Sequence, residues 1–153
     1  MRYPRAVPGI ALLAALFVAT ACQGQPRVTI QPKEGRERSF QVEIADTPAK
    51  RELGLQYRRE LGADQGMIFL FPNESQQTFW MKNTPIPLDM IFISHDRKIV
   101  GIVEQATPFN LDSRSVNGAS KYVLEINGGL SRKYGFMKGD SVRFEGINGD
   151  VRE

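Results

Sequence analysis

Thr78-Phe79-Trp80-Met81-Lys82-Asn83-Thr84-Pro85-Ile86-Pro87-Leu88-Asp89-Met90-Ile91-Phe92-Ile93 is the stretch whose reading decides the fold. It contains the only tryptophan of the chain and two apolar runs joined by a polar loop. Pro85 and Pro87 fix their own φ and bias Thr84 and Ile86 toward extended backbone. The loop is therefore stiff and presents Lys82, Asn83 and Thr84 in a set arrangement. Leu88–Ile93 is apolar on both faces apart from Asp89, which is the pattern of a strand buried on both sides.

Working outward, the same pattern recurs. Met67–Phe71 is apolar on both faces and is stopped by Pro72-Asn73. Phe40, Val42 and Ile44 alternate with polar neighbours, as do Tyr122, Leu124 and Ile126, which is the period of a strand. Thr78–Met81, Ile99–Val103 and Ser141–Glu145 are further short strands, with a turn at His95–Lys98 and a long polar loop over residues 107–119. Thr47 is an N-cap and Pro48 a first helical residue. Leu53, Tyr57 and Leu61 then follow at helical spacing, with Gly54 inside, where a close approach to a strand or early fraying would each account for it. Leu130–Phe136 reads as a second, short helix. About seven short strands with so few helices predict a mainly β chain: a single-domain β-sandwich resembling a jelly roll, with one or two short inserted helices.

The 153 residues allow one domain with a real core. Residues 1–21 read as a signal peptide, with Arg2 and Arg5 before the apolar run Gly9–Val18 and small residues at Ala19-Thr20-Ala21. The run is shorter than the roughly 20 residues of a membrane span. Cys22, the only cysteine, follows at once. Ala19-x-Ala21 suits ordinary cleavage, and Ala19-Thr20-Ala21-Cys22 resembles a bacterial lipobox. A lone exported thiol is explained by acylation, so Cys22 is the expected lipidation site. Gln23 in the next position favours the outer membrane; soluble periplasmic export is the alternative. Residues 22–37 are then anchor site and flexible tether, with a short strand possible at Arg27–Gln31. Residues 38–146 form the domain and 147–153 a tail. Formal net charge is +3, but removing Arg2 and Arg5 leaves 18 basic against 17 acidic residues, which argues against nucleic acid.

The run Trp80-Met81-Lys82-Asn83-Thr84-x-Ile86-Pro87-Leu88-Asp89-Met90-Ile91-Phe92 resembles the domain of unknown function 192 family. Gly66-Met67-x-Phe69-x-Phe71, Gly54-Leu55-x-Tyr57-Arg58, Tyr122-Val123-Leu124-Glu125 and Gly139-Asp140 fit as well. The similarity spans about residues 36–146. Gln56 stands where the family pattern usually has methionine. The resemblance implies an exported or lipid-anchored, compact, mostly β protein, and it implies no activity.

Asp89 is the first candidate site residue, because a carboxylate among Leu88, Met90, Ile91 and Phe92 must be paired or heavily hydrogen-bonded. Lys82, Asn83, Thr84 and backbone N–H groups are the expected donors. Asp89 then either pins the proline loop or joins Lys82 and Asn83 in the floor of a ligand pocket. Phe79 and Trp80, adjacent on a strand, face opposite sides. Core packing is the favoured reading of Trp80, and stacking on a sugar the other. Met67, Met81, Met90 and Met137 could ligate copper, but three lie in apolar runs where methionine fills a core. His95, the only histidine, is expected in an exposed turn. No catalytic signature is present, and an acid–base pair of Asp89 with Glu125 stays open.

The leading expectation is a non-catalytic binding or interaction module of the cell envelope, held at a membrane through Cys22. Its candidate ligand-binding residues are Trp80, Lys82, Asn83, Thr84 and Asp89, and its partner a small ligand, glycan or envelope protein. Neither metal nor cofactor is expected. A hydrolase using Asp89 as acid or base with Lys82, and a structural accessory of an envelope complex, are the alternatives.

Overall fold

The computed structural model describes residues 24–148; the expected signal peptide, the expected lipidation site Cys22 and the last five residues lie outside that range. Seven strands make one sheet: β1 (Arg27–Gln31), β2 (Arg38–Ala45), β3 (Gln65–Ser75), β4 (Leu88–Ile93), β5 (Ile99–Ala106), β6 (Ser120–Asn127) and β7 (Ser141–Glu145). Helix α1 (Pro48–Leu53) lies between β2 and β3, and α2 (Leu130–Tyr134) between β6 and β7. The sheet order is β5-β4-β6-β3-β2-β1-β7. Every pairing is antiparallel except β2 with β3, which α1 connects as a crossover.

The sheet curls until its two edge strands meet. Ile99 N–H donates to Asp140 O, Gly139 N–H to Ile99 O and Val142 N–H to Arg97 O, while Lys98 bridges to Ser141. Closing a sheet in this way removes exposed edges that would otherwise pair with other chains. The chain is thus mainly β with opposed walls and two short helices, as the strand count predicts.

Period-2 alternation divides the apolar residues between two cores. Inside the curl lie Val28, Ile30, Phe40, Ile68, Leu70, Ile91, Ile93, Leu124 and Ile126. On the outer face of β3, β4 and β6 lie Met67, Phe69, Met90, Phe92 and Val123 with Leu55 and Met81. This explains why Met67–Phe71 and Leu88–Ile93 are apolar on both faces: each strand serves both cores. Met67, Met81 and Met90 are buried fillers of the outer one, and Met137 is exposed.

Four features differ from the reading of the sequence. The short strand expected at Arg27–Gln31 is present, but it is integral to the sheet rather than set in a tether; Val28 and Ile30 are fully buried and β1 holds β2 on one side and β7 on the other. Helix α1 is capped by the Thr47 side chain, as expected, but stops at Gly54, whose φ is 49°. Leu53 and Tyr57 therefore do not form a core-facing stripe; both are exposed. The glycine permits a close approach, since a Cβ there would sit 3.2 Å from the Phe69 ring. Lastly, residues 78–81 contribute only an isolated bridge, Phe79 with Arg114, and belong to an irregular layer over the outer core.

Candidate functional site

Asp89 is the second residue of β4, opposite Ile126, and is fully buried. Its Oδ1 accepts from the backbone N–H of Gln105 and Gly129, each at 2.8 Å, and its Oδ2 from Ser131 N–H at 2.7 Å. Opposite Asp89 the β5 register shifts, with Leu88 facing Ala106 and Met90 facing Val103. The carboxylate thus satisfies a β-bulge at Gln105 and the Gly128-Gly129 turn that begins α2. Lys82, Asn83 and Thr84 are not its donors. The hydrogen bonds place Asp89 among backbone groups that would otherwise be left unpaired in the interior.

The proline loop is held by other means. Asn83, at φ 51°, donates through Nδ2 to Gln56 Oε1 and Tyr57 Oη, and its carbonyl accepts from Tyr57 N–H. Thr84 Oγ1 donates to Lys82 O, and Thr84 O accepts from Phe109 N–H. Phe79 and Arg114 exchange two backbone hydrogen bonds, and Met81 N–H donates to Asn110 O. Gln56, the residue at which a family methionine is replaced, is thus part of the strap that fixes the loop.

Between this strap and α1 the outer core opens into a cavity of about 480 Å³. That is within the roughly 300–1,000 Å³ of small-molecule sites. Its lining includes Leu55, Phe69, Thr84 and Glu125, all buried, and Leu53, Trp80, Lys82 and Ser113, all exposed. The first group is the floor and the second the rim. Phe79 turns inward and makes edge-to-face contacts with Phe69, Phe71 and Phe92 at centroid distances of 5.0, 6.2 and 6.0 Å. Trp80 turns outward and is half exposed at 51%. The adjacent aromatics do face opposite sides, but Phe79 is the one in the core. Lys82 Nζ lies 5.3 Å from the Trp80 ring, a cation–π contact at the rim.

Glu125 is the unusual member of the floor. It pairs with Met67 and Met90 across the sheet and so faces the outer core. Asp89, paired with Ile126, faces the inner one, so the two acids point to opposite faces and form no acid–base pair. The Glu125 side chain makes no hydrogen bond or ion pair with any described residue, and burial alone pushes its carboxyl up to about 8. At neutral pH it is mostly a neutral acid whose carboxyl opens onto the cavity. Arg51 lines the same cavity, but its Nη1 donates to Asp46 O and Leu70 O and its guanidinium stacks on Phe71 at 5.6 Å.

The sequence profile of the domain of unknown function 192 family, DUF192 ("uncharacterized ACR"), matches residues 29–144. The chain belongs to this family. Two crystal structures resemble the DUF192 chain closely. One, a protein of unknown function from Novosphingobium aromaticivorans DSM 12444, is 42% identical, with 76% of this chain and 83% of that one covered and a TM-score of 0.74. The other, a putative transcription regulator from Sinorhizobium meliloti 1021, is 38% identical over 80% of this chain and 95% of that one, with a TM-score of 0.76. No curated protein matches.

Set against the expected site, this DUF192 structure brings Trp80, Lys82 and Thr84 to one cavity, places Asn83 behind it as a clamp, and puts Asp89 on the other face of the sheet. Lys82 and Asp89 are therefore not a catalytic pair across one cleft. Arg51 is not among the residues the sequence singles out, and Glu125 enters there only as a partner for Asp89, not as a cavity residue. Glu125 carried a signal comparable to that of Asp89: a carboxylate in the apolar run Tyr122–Ile126. His95 lies in an exposed turn, where it bridges Glu74 and Asp96 at 2.6 and 2.9 Å. A second cleft beside the cavity is lined by Pro26 together with Leu53 and Gly54, which also line the cavity itself.

Proposed function

We propose that this protein is an exported, non-catalytic binding module that holds a small amphipathic ligand in the cavity beneath Trp80 and is tethered to a membrane through Cys22. One observation carries the binding reading: a buried carboxyl without a protein partner in the floor of an aromatic cavity. Buried polar groups are hydrogen-bonded as a rule, and the exceptions ask for an explanation. A ligand supplies one here. The apolar walls contribute affinity and the few polar groups orientation. The tether rests on the signal-peptide pattern and the lone cysteine after it.

Trp80, as the sole tryptophan, makes the test direct. Amphipathic fragments, neutral and charged, are titrated against the chain from residue 24 while its emission is followed. At least one class is expected to give a saturable change that the cavity-filling Ser113→Phe variant abolishes. A flat response to all classes would remove the reading, as would binding that Ser113→Phe leaves intact. For the tether, intact mass of the native N-terminus should show an acylated Cys22; an unmodified residue there would refute it.

A further inference from the structure

The binding reading leaves the chemical class of the ligand open, and the inference drawn here rests on that reading. Three features of the cavity constrain the class. Its walls are Phe69, Phe71 and Phe79, with Trp80 at the mouth. Ring faces carry partial negative charge and attract cations, more strongly where water is excluded. At the floor stands the Glu125 carboxyl, buried and unpartnered. At the rim stands Lys82, exposed, its ammonium over the Trp80 ring.

We propose that the cavity accepts a small zwitterion with an apolar body: its protonated amine seats on the Glu125 carboxyl between the aromatic walls, and its anionic group lies outward against Lys82. A carboxyl alone in this place gains nothing from ionising, because a buried charge without a counter-charge is costly. An ammonium supplies the counter-charge and hydrogen-bond donors together. The reverse orientation would bring an anion against a buried acid and the faces of aromatic rings. Arg51 does not compete for the floor, being committed to two backbone carbonyls and to Phe71.

Seating the amine moves a proton. The Glu125 carboxyl leaves its neutral form, its proton goes to solvent, and a carboxylate–ammonium pair remains. The other charged groups lining the cavity are Arg51, Glu52 and Lys82. Amine binding should therefore strengthen about tenfold between pH 6 and pH 7 and level off above about 8. Calorimetry in two buffers at pH 7 should show close to one proton released per amine bound, a readout that a purely structural Glu125 would not produce.

The probes are 4-(aminomethyl)benzoate, benzylamine and benzoate, read by Trp80 emission and calorimetry. The zwitterion should bind most tightly, benzylamine several-fold more weakly, and benzoate not measurably. Glu125→Gln should weaken both amines at least tenfold and abolish proton release, while Lys82→Gln should remove only the preference for the zwitterion. If benzoate binds as well as benzylamine, or Glu125→Gln binds amines unchanged, the zwitterion assignment is wrong. Should all three probes fail while neutral fragments bind saturably, the assignment falls and the ligand pocket stands. Silence from every fragment would take both away.

Discussion

Two buried acids, Asp89 and Glu125, sit one register step apart on neighbouring strands and live in opposite surroundings. Asp89 accepts three backbone N–H groups, so removing one acceptor leaves a buried donor unpaired. Asp89→Asn should lower unfolding free energy by about 2–4 kcal/mol in denaturant titrations; a neutral result would show that the bulge and the turn do not depend on the carboxylate. Glu125 has the reverse character. Its folded-state value of about 8 lies above the ordinary 4.5, so the native state holds its proton after the unfolded chain has lost it. Its contribution to stability is then complete below about 4.5 and is lost as pH rises toward 8, by about 1.4 kcal/mol per pH unit. Glu125→Gln should match the wild type near pH 4.5 and exceed its stability progressively up to pH 8. Parallel stability curves for the two proteins would contradict this. Sequence made both acids conspicuous through their apolar neighbours, but not which face each occupies. That depends on a one-residue offset between β4 and β6, and strand register is not visible in a single chain's pattern.

At the level of elements, glycines control the spacing around the cavity. In β3, a Cβ at Gly66 would meet Glu125 O at 2.5 Å, a contact with backbone that cannot swing aside. Gly66→Ala should therefore destabilise by about 1–3 kcal/mol through displaced β3–β6 pairing, measurable by denaturant unfolding. Little or no loss would show that the two strands tolerate a wider separation. The strands themselves were legible, because Met67–Phe71 and Leu88–Ile93 have the composition of two-faced burial. The second turn of α1 was not. Leu53, Tyr57 and Leu61 keep helical spacing, yet the left-handed backbone of Gly54 and Tyr57 ends the helix after six residues. Tertiary contacts decide that outcome: Tyr57 N–H donates to Asn83 O instead of continuing the helix. Propensity is only a weak prior against such a competitor. The cavity follows from the same event, since its lining runs through Leu53–Gln56, where α1 ends and the strap begins.

Across the whole molecule, closure of the sheet depends on β1. Among the described residues it is the only strand joining β7 to the rest through continuous pairing. A chain beginning at Lys33 should lose its cooperative unfolding transition, whereas one beginning at Gly24 should keep it; circular dichroism during heating distinguishes the two. A cooperative transition in the shorter chain would return β1 to the status of a tether. The strand itself was legible at Arg27–Gln31, but not its place in the domain: Val28 to Ile30 lie among prolines, glycines and charges, and β7, the partner that makes β1 indispensable, is distant in sequence.

For the proposed anchor at Cys22, the position of β1 would also set a leash length. Gly24 already lies beside Gly146, where a Cβ would be 3.4 Å from the Gly24 carbonyl oxygen. Two peptide links separate Gly24 from Cys22, a reach of about 7 Å. An acyl chain on Cys22 would leave the domain almost no stand-off and few orientations to sample. Pro26 shares its cleft with residues that also line the cavity. On the proposed anchor, such a short leash would hold the Pro26 cleft, which adjoins the cavity, close to the layer of solution next to the lipid headgroups.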